Sequence, residues 1–111
     1  MDIQKTDESG VTVLTLEGCI DFAVRKALFD AVQAVSLDAP AKILLLFHNV
    51  DIVHTTGLGV LVSLFKEVTS KNGQMKFGCM KPEVYDLFQV TRLVKIFEIY
   101  ETKEEALKSF S

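Results

Sequence analysis

The hydrophobic pattern of this chain begins with two short runs that predict paired strands. Residues about 2–8 and 11–17 lie on either side of Ser9-Gly10, a typical turn sequence. The second run nearly alternates and is rich in β-branched residues, as half-buried strands are. We therefore predict a β-hairpin whose second strand ends at Gly18.

The pattern then changes to helical spacing after Asp21, a residue type that caps helices. Apolar residues recur at i, i+3, i+4, i+7, i+8 and i+11, at Val24, Ala27, Leu28, Ala31, Val32 and Val35. This spacing predicts an amphipathic helix of about four turns, ended by the sequence Asp-Ala-Pro at residues 38–40.

A continuous apolar run at residues 43–47 predicts a central strand that is buried on both faces. Residues 48–51 are predicted to form a loop. A second helix is expected from about Thr56 to Ser70, and Asn72-Gly73 would close it with a left-handed cap.

The last third of the chain repeats this alternation of strand and helix. Residues 75–79 predict a strand, Pro82 opens a short helix that ends near residue 90, and residues 95–100 predict a further strand. Thr102 and Glu105 form a capping box for a last helix. The order β-β-α-β-α-β-α-β-α predicts an α/β fold, with a mixed, mostly parallel sheet and helices packed on it, as one domain over residues 1–111.

Composition narrows the protein class. Hydrophobic residues make up 49% of the 111, which predicts a substantial core, and a net charge of −3 argues against a general nucleic-acid binder. No apolar run approaches the roughly 20 residues of a membrane span, and the N-terminus lacks a signal-peptide pattern. The two cysteines form no CxxC pair. We expect a cytoplasmic protein with two reduced, largely buried thiols and no membrane association.

Candidate chemistry is concentrated where the second helix begins, in the sequence His-Thr-Thr-Gly-Leu-Gly at residues 54–59. Backbone N–H groups at a helix start lack partners, so Thr55 or Thr56 could cap the helix, and a phosphate would be held well. Glycines in the first turn of a helix permit close packing on a neighbouring strand, which we expect chiefly of Gly59, while Gly57 would also leave the surface open to a partner. The stretch predicts a regulated surface rather than a catalytic pocket.

Catalytic and metal-binding motifs are absent from the sequence. No G-x-S-x-G motif or glycine-rich phosphate loop with a lysine occurs, and the glycine pair lacks the third glycine of a dinucleotide fingerprint. His48 and His54 have no further ligands at a suitable spacing. We expect a protein that is not an enzyme and that uses no metal or cofactor.

Four features give the chain a resemblance to the STAS domain, and more narrowly to the bacterial anti-sigma factor antagonists. The Gly-Leu-Gly motif after two hydroxyls is the most recognisable of them. The features are residues 16–21, residues 43–47 followed by Asn49-Val50, residues 55–61, and the C-terminal elements at 76–82, 84–87 and 96–100. The resemblance spans nearly the whole chain.

This resemblance implies a non-enzymatic switch. Such antagonists bind an anti-sigma factor with serine/threonine kinase activity, an ATPase of the histidine-kinase-like type, and so release a sigma factor. The kinase phosphorylates the antagonist, which then dissociates, and a phosphatase reverses the modification. The phosphorylated serine of the family falls on Thr55, the next hydroxyl on Thr56 and the helix-opening aspartate on Asp21.

The resemblance also implies a binding face around the start of the second helix, in a chain expected to be monomeric. Its residues would be Asp21, Phe22, His54, Thr55, Thr56, Gly57, Leu58 and Leu61. Leu58 and Leu61 could instead belong wholly to the core. The family usually has aspartate and serine where this chain has His54 and Thr55. Several interpretations therefore stay open. The chain is a phosphorylated antagonist, or, without phosphorylation, a constitutive antagonist or a STAS scaffold or adaptor subunit of a stress-signalling complex. A small-ligand binder, as some STAS domains are, ranks last because no phosphate loop is present.

Overall fold

A computed structural model describes residues 2–33 and 41–110 of the chain. Within these ranges, five strands and four helices follow one another in the predicted order. The strands are β1 (Asp2–Glu8), β2 (Val11–Ile20), β3 (Lys42–Val53), β4 (Gln74–Gly78) and β5 (Glu98–Tyr100), and the helices are α1 (Arg25–Gln33), α2 (Thr55–Ser70), α3 (Pro82–Val90) and α4 (Lys103–Lys108). Short 3-10 turns at Phe22–Val24 and Leu93–Lys95 precede α1 and β5.

The five strands form one sheet in the order β1-β2-β3-β4-β5. The hairpin partner β1 is antiparallel to β2, and all other neighbours are parallel. The α/β class, the mixed sheet and the hairpin are thus confirmed. Because β2, β3, β4 and β5 are parallel, their carboxyl ends lie at one edge of the sheet.

Two apolar clusters sandwich the sheet. The larger one joins inward-facing residues of β2, β3 and β4 to α1, α2 and α3, and includes Leu45, Phe47 and Leu61, all fully buried. The smaller one lies on the opposite face, where Ala106 and Phe110 of the C-terminal segment cover part of β2 and β3. The central strand is therefore buried on both faces over its first half, as its unbroken apolar run predicted.

The predicted loop at residues 48–51 is wrong, because β3 continues to Val53. Its second half contains two β-bulges against β2, one between the pairs Thr15–Leu46 and Glu17–Asn49 and another just after Gly18. Each bulge inserts an extra β3 residue, so burial recurs every third residue, at 47, 50 and 53. Alternation of period two is therefore lost, although the strand is not.

Strand ends differ from the predictions at two further places. The second strand continues past Gly18, whose φ of +110° fits the bulge, to Ile20. The last strand is only three residues long, because Leu93–Lys95 turn as a 3-10 segment after Arg92, which has a φ of +64°. Phe97 then packs on Phe77 with ring centroids 4.6 Å apart.

Three predicted caps outside the second helix start are confirmed. The Asp21 carboxylate accepts from the Ala23 N–H at 3.0 Å, and Thr102 Oγ1 accepts from the Glu105 N–H at 3.2 Å. Asn72, with a φ of +62°, is the left-handed residue after α2. The predicted end of the first helix, at residues 35–40, lies outside the described residues.

The cysteines are free, as predicted, but they are not largely buried. Cys19 is exposed and Cys79 is half-buried. Cys19 follows the bulge at Gly18 and pairs with Ile52 on the sheet face away from the larger core. The helix α4 does not extend over this part of the sheet, so the thiol is open to solvent.

Candidate functional site

The predicted site residues meet at the carboxyl edge of the parallel strands. Ile20 and Val53 are paired at the ends of β2 and β3. Asp21 and Phe22 continue directly from one strand, and the residues from His54 onward continue from the other. Residues more than 30 positions apart in sequence, such as Phe22 and Thr56 at a separation of 34, therefore form one surface.

The start of α2 is fixed against the end of β2. The His54 N–H donates to the Ile20 carbonyl oxygen at 2.8 Å. Gly57 packs on the same group so closely that a Cβ at this position would overlap the carbonyl oxygen and lie 2.6 Å from its carbon. The prediction that Gly59 is the glycine needed for close packing is therefore wrong. Gly57 allows the close packing, and Gly59 faces open space, since a Cβ added there would have no neighbouring atom within 4 Å.

The two neighbouring threonines have different environments. Thr56 Oγ1 accepts a hydrogen bond from the Phe22 backbone N–H at 3.2 Å. Thr55 is exposed, and its hydroxyl has no hydrogen-bond partner among the described residues. Thr56 thus connects two parts of the edge, while Thr55 offers a free hydroxyl to an incoming group.

The predicted threonine cap is not formed, because Thr55 is already the first residue of α2 and His54 is the capping residue. The His54 backbone is extended and its side chain makes no capping hydrogen bond. The helix has 16 residues, so its amino end has a partial positive charge. An anion on Thr55 would lie beside this helix end, where backbone N–H groups stabilise negative charge.

Two predicted contact residues on α2 belong to the core instead. Leu61 is fully buried, and Leu58 is 7% exposed. Both belong to the larger apolar cluster between α2 and the sheet. Of the two places predicted for these residues, the binding face and the core, the structure places both in the core.

The other predicted face residues are accessible, with Gly57 as an exception. Asp21 is half-buried, and Phe22, His54, Thr55 and Thr56 are exposed. Phe22 stands out because 58% of this large apolar residue is exposed. The surface therefore combines one apolar ring with hydroxyl, imidazole and carboxylate groups.

One exposed apolar residue of this edge has no counterpart in the sequence-based prediction. Ile52 is 50% exposed and lies just before Val53, on the opposite sheet face from the larger core. Nearby, the Lys81 ammonium donates to the Asp51 carboxylate, and this hydrogen bond raises the pKa of Lys81 above its usual value. The sequence-based prediction did not include the exposed Ile52 or the bond between Lys81 and Asp51. It treated residues 48–51 as a loop and so did not assign the side chains of this part of β3 to a face of the sheet.

Two further features, a metal-binding cluster and a membrane-spanning helix, are absent from the described ranges 2–33 and 41–110. These ranges contain no group of three His, Cys, Asp or Glu side chains placed to bind a metal ion. Among their helices, none has the length and apolar character needed to cross a bilayer. The edge carrying Thr55 is thus characterised by exposed side chains rather than by a ligand cage.

Comparison with known proteins identifies the family. A family model described as the STAS domain matches residues 2–106, nearly the whole chain. The chain belongs to the STAS domain family. The resemblance in the Gly-Leu-Gly segment and the surrounding elements is thereby confirmed.

Its relatives include proteins named for one activity. The anti-sigma F factor antagonist of Paenibacillus polymyxa is 28% identical over 96% of this chain and 92% of its own length. The crystal structure of an anti-sigma factor antagonist from Mycobacterium paratuberculosis has a TM-score of 0.82 at 26% identity, over 97% of this chain and 92% of that one. The phosphorylated form of the Bacillus cell fate determinant SpoIIAA shares the fold, with a TM-score of 0.68 at 18% identity. The match covers 99% of this chain and 100% of the SpoIIAA chain.

Proposed function

We propose that this STAS protein is an anti-sigma factor antagonist, which binds an anti-sigma factor through the edge around Thr55 and so releases a sigma factor. The observation that carries the proposal is the exposed, unpartnered hydroxyl of Thr55, within the described residues, on the first residue of α2. A relative that matches almost the whole chain is named an anti-sigma F factor antagonist. The partner proposed is an anti-sigma factor with serine/threonine kinase activity.

Thr55 is the proposed site of the switch. The Thr55 oxygen would attack the γ-phosphorus of ATP bound to the kinase, the bond from that phosphorus to the β–γ bridging oxygen would break, and ADP would leave. The hydroxyl proton would pass to a base of the kinase. A phosphatase would return the hydroxyl by hydrolysis, with water supplying the new oxygen to the phosphate.

The phosphate would be tolerated in the free protein but not in the complex. It adds about −1.5 to −2 charges, which the amino end of a long helix stabilises. Inside a docked interface the same charge would lose its water or meet acidic groups. A penalty of ~3 kcal/mol would weaken binding by about a hundredfold.

The first experiment is mass spectrometry of the chain incubated with ATP and each anti-sigma-type kinase of its organism. We expect one added phosphate that maps to Thr55 in the wild type and in Thr56→Ala, and none on the Thr55→Ala variant. Phosphate on Thr56 alone would contradict the assignment. No phosphate with any kinase, together with stable binding to one of them, would favour the unphosphorylated scaffold or adaptor.

Binding measurements separate a charge switch from other effects. Thr55→Ala should bind the anti-sigma factor as the wild type does, while Thr55→Glu should bind at least about tenfold more weakly, because it places a carboxylate at the same position. Equal affinities of the two variants would argue against the switch. The proposed role is binding rather than catalysis, and a turnover that Thr55→Ala abolishes would overturn this part.

A further inference from the structure

Phe22 is placed as an apolar contact at the proposed binding edge. It opens the 3-10 turn Phe22–Val24 and is 58% exposed, although its neighbour Val24 is buried in the core. Its side chain and Phe29 line an open groove of about 390 Å³ along α1. Arg25 lies over the Phe29 ring at 4.3 Å. Phe is enriched in protein interfaces relative to the rest of the surface, so an exposed Phe beside a groove is a candidate contact for a partner.

The position of Phe22 depends on a hydrogen bond from the other side of the edge. Its backbone N–H donates to Thr56 Oγ1 at 3.2 Å, across 34 positions of sequence. The Asp21 carboxylate accepts instead from the next residue, Ala23. Thr56 is therefore the side chain that ties the Phe22 backbone to the first turn of α2.

We infer that Phe22 is an apolar anchor for the anti-sigma factor and that Thr56 is the positioning residue that holds this anchor beside Thr55. The inference rests on the proposed function. It gives the two threonines separate roles. Thr55 receives the phosphate, and Thr56 positions Phe22, whose contact with the anti-sigma factor the phosphate must disrupt. Thr56 would act through Phe22 rather than by touching the partner.

A double-mutant cycle tests this coupling, with the anti-sigma factor that binds the wild type as the probe. We expect Phe22→Ala to weaken binding about tenfold, as interface anchors do, and Thr56→Val about fivefold. The double variant should bind as Phe22→Ala does, because loss of the positioning bond has no effect once the ring is gone. Thr56→Ser, which keeps the hydroxyl, should bind as the wild type does.

A matched control exists on the same helix. The Thr69 hydroxyl is also hydrogen-bonded and exposed, but it bonds to the Phe65 carbonyl oxygen at the far end of α2. Thr69→Val makes the same chemical change away from the edge, so it should leave binding within about twofold of wild type. A similar loss from both Thr→Val variants would show a general effect on α2, and would overturn the inference.

Amide hydrogen exchange measured by NMR provides a test that needs no partner. The Phe22 amide should exchange several-fold faster in Thr56→Val than in the wild type, and at the wild-type rate in Thr56→Ser, because only the hydroxyl supplies its acceptor. An unchanged rate in Thr56→Val would show that the hydrogen bond does not hold the turn, and would overturn the positioning role.

The binding outcomes separate this inference from the proposed function. If no anti-sigma factor binds the wild type, the proposed function fails and the inference fails with it. If the wild type and Thr55→Ala bind and Thr55→Glu does not, the function stands. In that case, two results would overturn the inference alone. One is that Thr56→Val binds the anti-sigma factor with wild-type affinity. The other is that the double variant binds about fiftyfold more weakly than the wild type, which is the result expected if the two effects are additive.

Discussion

The packing of Gly57 on β2 makes a quantitative prediction about two glycines of one helix. Alanine is favoured over glycine inside a helix by about 0.5–1 kcal/mol, so either Gly→Ala change gains this amount from the backbone. At Gly57, however, the new methyl would overlap the Ile20 carbonyl and approach its Cγ2 to 2.8 Å. At Gly59 it would meet nothing within 4 Å.

The sign of the stability change should therefore differ between the two variants. Overpacking costs about 1–3 kcal/mol, and displacing α2 also weakens the hydrogen bond from the His54 N–H to the Ile20 oxygen, which is worth about 1 kcal/mol. After the helix gain is subtracted, we expect Gly57→Ala to lower the free energy of unfolding by about 1–3 kcal/mol. Gly59→Ala should raise it by about 0.5–1 kcal/mol.

Urea denaturation followed by circular dichroism measures both differences, since an unchanged slope with denaturant shows that only stability has changed. The two variants should lie on opposite sides of the wild type. A Gly57→Ala variant as stable as the wild type, or two shifts of the same sign, would refute the packing argument. It would mean that α2 can move away from β2 at little cost.

Two further predictions concern single side chains. Lys76 is buried and donates to the Ser109 carbonyl oxygen at 2.8 Å, so Lys76→Met should lower the free energy of unfolding by about 1–2 kcal/mol. In the same urea titration, Lys26→Met, which breaks an exposed ion pair, should change the free energy of unfolding by less than about 0.5 kcal/mol. Equal effects of the two variants would contradict this prediction. Burial raises the pKa of the Cys79 thiol, so at about pH 8 iodoacetamide should modify the exposed Cys19 first. The rate at Cys79 should rise at higher pH, because the thiolate is the form that reacts. Mass spectrometry follows both modifications, and equal rates at the two cysteines would refute this prediction.

The fold could be predicted largely because most elements have an unambiguous period. The helical spacing after Thr55, and Pro82 at the first position of α3, indicated element types that the structure confirms. The errors come from irregular backbone. Two bulges changed the period of β3 from two to three, and a 3-10 turn removed the start of the predicted last strand. The apolar residues Phe47, Val50 and Val53 do recur in the sequence, but a period of three is not the period of a regular strand and so did not indicate one.

The place of the candidate residues in the fold could be predicted, but their contacts could not. The Gly-Leu-Gly motif follows a predicted strand and begins a predicted helix. The order of these elements is enough to place the motif at the carboxyl edge of the sheet. The role of Gly57 depends on how near the Ile20 carbonyl comes, and the role of Thr56 depends on a bond to Phe22. Both are contacts between residues far apart in sequence, so local patterns contain no information about them.

These contacts bear on how a phosphate could act. The hydrogen bond from the His54 N–H to Ile20 and the packing of Gly57 fix the start of α2 on the sheet, so a charge on Thr55 should alter the surface without moving the backbone. We therefore expect amide NMR shifts in Thr55→Glu, compared with the wild type, to be confined to the ends of β2 and β3 and the first turn of α2. Shifts that extend into α3 or α4 would mean that the charge changes the conformation, and would contradict a switch in which it acts directly in the interface.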